Sequence, residues 1–292
     1  MEYALLLLAI LIFTVQTICF KEFNRSFMKN LASYFLFNSL YFSLIVLIVT
    51  VTGLNLAAIH TVTALLALGF GILFVTVILL YMKAMENGPL SYTSLVFSLG
   101  LIVPTLSGVV FWNEKIGILQ IAGLIILFVT FYLGSGATSD AKGKINLKWL
   151  IYCTTAFIGN GTIMTLSKAQ QMLTPGKEIN EFLFLGFGTA AVLSIILFLR
   201  QKVLKGESVS HLKTVPFGVV VLITGFVTAV GNQIAVFLAG RLPAVIQFPV
   251  ANGGIVLLSS IVSITFFREK LSRKGAAGLI LGFVSLVLLS VP

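Results

Sequence analysis

The chain has 292 residues, 58% of them hydrophobic and only 10% charged, with a mean hydropathy of +1.09 and a formal net charge of +10. Globular proteins carry roughly 25% charged residues; this chain has too few to cover a soluble core of its length, and its long apolar runs place it in a bilayer. The positive balance does not mark a nucleic-acid binder, because the 19 Lys and Arg fall in short gaps between apolar runs and form no continuous basic face.

Ten apolar segments follow one another, near 3–20, 31–52, 61–83, 90–112, 116–135, 147–168, 181–199, 214–238, 243–267 and 273–291. Each suffices for a helix across a hydrocarbon core of about 30 Å at 1.5 Å per residue, and none shows the alternation of a barrel strand. The first has no basic start and no small-residue cleavage site, so it is expected to be a retained span and not a signal peptide. Cys19 and Cys153 lie in different segments without metal-ligand spacing and read as packing residues. Glu86-Asn87-Gly88-Pro89, Thr174-Pro175-Gly176-Lys177 and Arg241-Leu242-Pro243 are turns. The polar stretch 134–144 is a linker at mid-chain.

Two stretches repeat one another. Asn113–Phe128 reads NEKIGILQIAGLIILF and Arg268–Phe283 reads REKLSRKGAAGLILGF, at a constant offset of 155 positions. The same offset pairs Ala84 with Ala239, Leu133 with Leu288 and Ser135 with Ser290. The chain is therefore expected to be a duplication, with copies at 1–139 and 140–292. Five helices per copy is an odd number, so the second copy must enter the membrane inverted. The expected fold is all-α and membrane-embedded, with ten transmembrane helices in two inverted five-helix repeats. Fifteen of the 19 basic residues fall in odd-numbered loops, leaving Lys115, Lys168, Lys177 and Arg241 to the even ones. By the positive-inside rule the odd loops are cytoplasmic and both termini outside.

With its doubled E-K-x6-A-G-L-I pattern at Glu114–Ile125 and Glu269–Ile280, the chain resembles the drug/metabolite transporter superfamily, in its EamA-like ten-helix branch. The Gly88-Pro89-Leu90 and Leu242-Pro243-Ala244 turns and the lysines Lys21 and Lys168 are also similar to that family's. The resemblance covers the whole chain and implies a central cavity with alternating access for a small metabolite. It also implies cytoplasmic termini, opposite to the charge count, and a Trp-Gly pair in the first helix where this chain has Ile12–Gln16.

Inside a bilayer, polar residues far from helix ends must find partners or face water. Asn160 lies eight residues before Lys168, Asn232 nine before Arg241 and Asn252 nine after Pro243. At 1.5 Å per residue, all three fall about 12–14 Å from helix ends on one face of the membrane. Gln233 adjoins this level, Gln247 lies nearer the outside and Gln16 is a shallower first-half candidate. Tyr92 and Phe97 occupy the positions equivalent to Gln247 and Asn252, so the first copy offers aromatic wall where the second offers amides. Each amide has a purely structural alternative, an interhelical hydrogen bond that holds the bundle. Gly159, Gly161, Gly231, Gly253 and Gly254 flank the amides, either for close helix approach or for loosened helices. Glu114 and Glu269 precede the fifth and tenth helices, where an acid faces the positive end of the macrodipole.

Glu2, Glu114, Glu181 and Glu269 all fall at the interfaces, and no carboxylate lies deep in a span, which argues against proton-coupled export of cations. His60 and His211 are loop residues without acidic partners, which argues against an enzyme. The sequence therefore predicts a secondary transporter moving a small neutral or zwitterionic polar metabolite by alternating access. An exporter of drug-like or cationic compounds is the alternative, with a membrane-embedded enzyme or a sensor behind it. Neither cofactor nor metal is implied. The expected partners are a small-molecule substrate and membrane lipids, with no nucleic acid and no soluble protein, and a monomer suffices. The expected location is a prokaryotic cell membrane, crossed many times.

Overall fold

A computed structural model describes residues 1–55, 59–87, 93, 96–135, 147–265 and 273–291. Its helices are α1 (Glu2–Ser26), α2 (Leu31–Val51), α3 (Thr61–Asn87), α4 (Ile102–Trp112), α5 (Ile118–Ser135), α6 (Leu147–Leu173), α7 (Ile179–Lys205), α8 (Val215–Ala239), α9 (Ala244–Thr265) and α10 (Arg273–Ser290). A 3-10 turn, Leu99–Leu101, leads into α4. No strand occurs among the described residues. Among the described residues, six helices are long and apolar enough to cross a membrane: α1, α2, α3, α7, α8 and, over Ala244–Val262, α9. Three shorter apolar helical stretches are Val96–Trp112, Ile118–Leu133 and Ala276–Ser290. α6 is as long as α7, but Lys148, Asn160, Lys168, Gln170 and Gln171 dilute its apolar character. These helices are compatible with a multi-pass membrane protein.

Helix ends follow local chemistry. Asn30 caps α2, its Oδ1 accepting from the Ser33 amide at 2.8 Å and the Ser33 hydroxyl at 2.7 Å. Glu207 closes a second free donor of that turn, taking the Ala32 amide at 2.7 Å. Thr214 caps α8, with a proline in its first turn. Gly206, in the left-handed region at φ 63°, ends α7.

The chain divides into two compact units. One comprises Tyr3–Val75 and Ala169–Gly240, the other Thr76–Lys168 and Arg241–Pro292, so each draws segments from both halves of the sequence. In the first unit α2 packs on α7 and α8. Phe42, Phe70, Phe74 and Phe187 interlock with ring centroids 5.5–5.7 Å apart. Phe23 stacks on Phe37 at 4.0 Å, beside Phe217. In the second unit α5 packs on α10, and α9 on α4 and α10. The Ser285 hydroxyl donates to the Gly123 carbonyl at 2.8 Å, while Thr130, its counterpart at the 155-residue offset, packs on Gly282. α5 and α10 match residue for residue at that offset, and all but the last residue of α2 falls within α7. In each unit, then, an extensive pairing joins counterparts. Against lipid such pairings are held by close packing and interhelical hydrogen bonds.

Candidate functional site

The first unit holds a cavity of 540 Å³. Its floor is built where α6 turns into α7. Gln170 and Gln171, both buried, end α6 and tie down the turn. Their Nε2 groups donate to the Lys177 carbonyl at 3.0 and 3.2 Å, and Gln171 Oε1 accepts from the Gly176 amide at 3.2 Å. Gly176 and Glu178 have positive φ, 68° and 55°. The second is uncommon for a residue with a Cβ and is held by what its side chain does. The Glu178 carboxylate accepts from the His60 amide at 3.1 Å and pairs with His60 Nδ1. One turn into α7, Glu181 Oε1 accepts from the Asn55 amide at 2.7 Å and Asn180 Nδ2 donates to the Gly53 carbonyl at 2.9 Å. The start of α7 thus stitches down the segment between α2 and α3. From α8, Gln233 Nε2 donates to Thr52 Oγ1 at 2.8 Å and to Asn180 Oδ1 at 2.9 Å. Leu5, Ile234 and Phe237 supply apolar wall.

Burial would raise the Glu178 carboxyl, but the nearby Thr63 hydroxyl and the hydrogen bonds from the His60 side chain and amide outweigh it and hold it below the usual carboxylate value of 4.5. A group depressed in the folded state stabilises above its unfolded value, and that contribution disappears as pH falls through the folded value. Glu178→Gln is expected to melt lower than the parent at neutral pH, by an amount on the order of 1–2 kcal/mol, because the Gln amide opposes one of the two His60 donors. Melting curves in detergent should show the gap closing on acidification below 4.5.

Of the expected site residues in this unit, Gln233 lines the cavity. Gln16 and Asn232 meet at Thr228: Gln16 Nε2 donates to its hydroxyl at 2.7 Å, Asn232 Nδ2 to its carbonyl at 2.8 Å. In the second unit, Asn160 Nδ2 lies 3.5 Å from the Phe97 carbonyl. Asn252 Nδ2 donates to the Phe248 carbonyl at 2.8 Å and lies 4.0 Å from the sulfur of Met164, one turn along α6 from Asn160. Gln247 is buried on α9. Tyr92 lies outside the described residues, while Phe97 packs against Tyr81. The flanking glycines serve close approach. Gly159 meets Val77, Gly161 the Gly100 carbonyl, and Gly231 Phe13, while α6, α8 and α9 run unbroken through them, Pro249 included.

Two expectations are corrected here. His60 does have an acidic partner, Glu178, brought by a loop distant in sequence. Glu181 stands in the first turn of α7, at the end of the apolar run where it was expected, and is 7% exposed. Glu114 does face a helix start, but that of α9 and not of α5: its Oε2 accepts from the Val245 amide at 3.3 Å. Its Oε1 pairs with buried Lys168 at 3.0 Å, and Lys168 Nζ also donates to the Leu242 carbonyl at 2.9 Å. Sequence reasoning missed Thr52, Asn180, Gln170 and Gln171; a Gln-Gln pair closing an otherwise apolar helix was the available signal for the last two. Glu269 lies outside the described residues. Cys19 and Cys153 are buried and unpaired with each other.

No protein-family model matches the chain. It is similar to an uncharacterized protein of Haemophilus influenzae, 24% identical over 220 residues that cover 73% of this chain and 70% of that one. A solved structure described only as the crystal structure of a protein shares the fold, with a TM-score of 0.77 at 15% identity over 99% of this chain and 96% of that chain.

Proposed function

We propose that the protein is a secondary carrier of the drug/metabolite transporter type, built from two inverted repeats, that moves a small neutral or zwitterionic polar metabolite across a cell membrane by alternating access. The observation that carries this reading is the open cavity in the first unit: amides and carboxylates line 540 Å³ of space where the ends of otherwise apolar helices meet. Polar groups are costly at a lipid-exposed surface, and their convergence on a cavity is how a polar solute is held in a mostly apolar site. The 155-residue echo supports the duplication, since counterparts pair within each unit. The charge bias supports cytoplasmic odd-numbered loops.

In this reading Gln233 contacts the solute, Asn232 and Gln16 meet beside it at Thr228, and Asn160, Asn252 and Gln247 are the polar candidates of the second unit. Purified protein in proteoliposomes is expected to take up one class among amino acids, polyols and nucleosides with saturable kinetics. Gln233→Ala, Asn160→Ala and Asn252→Ala should lower the rate at least tenfold while melting near the parent. Flux equal to that of empty vesicles for every class overturns the reading. Parent-like uptake in all three variants removes the amides from the path.

A further inference from the structure

We infer that the cavity of the first unit recognises its solute by an ammonium group, which lies between Glu181 and Gln233. The inference rests on the carrier reading for its biological use and on hydrogen-bond accounting for its chemistry. The Gly53 carbonyl can only accept, so the group of Asn180 beside it is Nδ2. That places Asn180 Oδ1 toward α8, where it can only accept in turn, and Gln233 must present Nε2 to it. The second hydrogen of the same Nε2 goes to Thr52 Oγ1. Both donors of Gln233 are thus used within the protein, while its Oε1 accepts no hydrogen bond among the described residues.

Glu181 repeats the pattern. Its Oε1 takes the Asn55 amide, and its Oε2 accepts no hydrogen bond among the described residues, although the residue is more than nine-tenths buried and lines the cavity. Glu178, paired with His60, adds a second carboxylate to the lining, and no Lys or Arg belongs to it among the described residues. What Glu181 and Gln233 hold out to a solute is therefore acceptor oxygen, with the negative charge of Glu181. That suits a group rich in N–H donors and positively charged, a primary ammonium above all. A hydroxyl would leave the charge uncompensated, and a quaternary ammonium would leave the acceptors unfilled. Leu5, Ile234 and Phe237 form an apolar lining for the carbon skeleton of the solute.

The test uses the purified full chain in detergent and titrates n-butylammonium, n-butanol and tetramethylammonium by calorimetry. n-Butylammonium is expected to bind at least tenfold more tightly than either of the others. Glu181→Gln keeps the acceptor for the Asn55 amide and removes the charge, and should weaken n-butylammonium at least tenfold, leaving n-butanol unchanged. Ile234→Trp, which fills the cavity without touching the polar network, should abolish binding and guards against a folding defect in the first variant. Equal binding of n-butylammonium and n-butanol, or undiminished n-butylammonium binding in either variant, overturns the inference. Saturable uptake of a neutral polyol alongside such a failure would remove the ammonium and leave the carrier. Ammonium binding without flux of any solute would remove the carrier and leave the site.

Discussion

Lys168→Ala is expected to cost about 3–5 kcal/mol, the range for removing one partner of a buried ion pair. Lys168 is 3% exposed. Its ammonium is held by Glu114 Oε1 at 3.0 Å and the Leu242 carbonyl at 2.9 Å, and lies 5.9 Å above the Trp112 ring. Truncation leaves the Glu114 carboxylate in the same enclosure with the Val245 amide as its remaining partner. The damage spreads beyond one pair, because three segments meet there: the end of α6, the turn after α4 and the entry to α9. Asn113, in the left-handed region at φ 52°, aims that turn, and the Glu114 amide closes it on the Gly108 carbonyl at 3.1 Å. Glu114→Gln should cost less than Lys168→Ala, since an amide oxygen can still accept from Lys168. Combining it with Lys168→Ala should cost less than the sum of the two single changes, the mark of direct coupling. Unfolding titrations of the reconstituted chain measure all three. A Lys168→Ala protein that unfolds with the parent would show the pair to be without weight.

The apolar runs were legible because the length of a bilayer-crossing helix is set by the bilayer. The segment expected at 31–52 is Leu31–Val51, and that at 273–291 is Arg273–Ser290. Where expectation and structure part, the runs ended before the hydrogen bonds did. α1 continues past Phe20 through Lys21, Glu22 and Arg25 to Ser26, and α6 continues past Lys168 to Leu173. Hydropathy marks where the chain leaves apolar surroundings, while a helix goes on as long as its residues favour it and its last carbonyls find partners. The extension of α6 puts Asn160 midway along its helix, so its distance from that helix end no longer matches those of Asn232 and Asn252. Gln233, which lines the cavity, could be singled out as a candidate because an amide deep in an apolar run is rare. Asn180 and Glu181 could not, because polar residues at the edge of a run are ordinary. The two are bonded by Gly53 and Asn55, more than a hundred residues earlier. Glu114 shows the same limit: local sequence placed it before α5, and the helix start it serves is that of α9.

Gly71→Ala is expected to destabilise the first unit by about 1–3 kcal/mol, at the upper end of what one added methyl does in a packed interior. A Cβ at Gly71 would stand 2.3 Å from the Gly186 carbonyl oxygen and 2.8 Å from Thr189 Cβ. The nearest atom belongs to the backbone of α7, so it cannot swing aside; α3 and α7 must separate, and the Phe70, Phe74 and Phe187 rings that interlock between them must separate too. Gly186→Ala meets the Phe70 ring at 2.9 Å and backbone only at 3.4 Å, so a small ring shift accommodates it and the loss should be smaller. Gly188→Ala has the Val46 side chain at 4.0 Å as its near neighbour. There the gain in helix propensity, on the order of 1 kcal/mol, should leave stability unchanged or raised. The three alanines on one pair of helices are therefore expected to rank Gly188, Gly186, Gly71 from mildest to most damaging, whereas loss of glycine flexibility alone would make all three alike. Melting temperatures of the three variants in one detergent decide between these outcomes: an even shift across the series would show that helix approach at Gly71 does not limit the packing of α3 on α7.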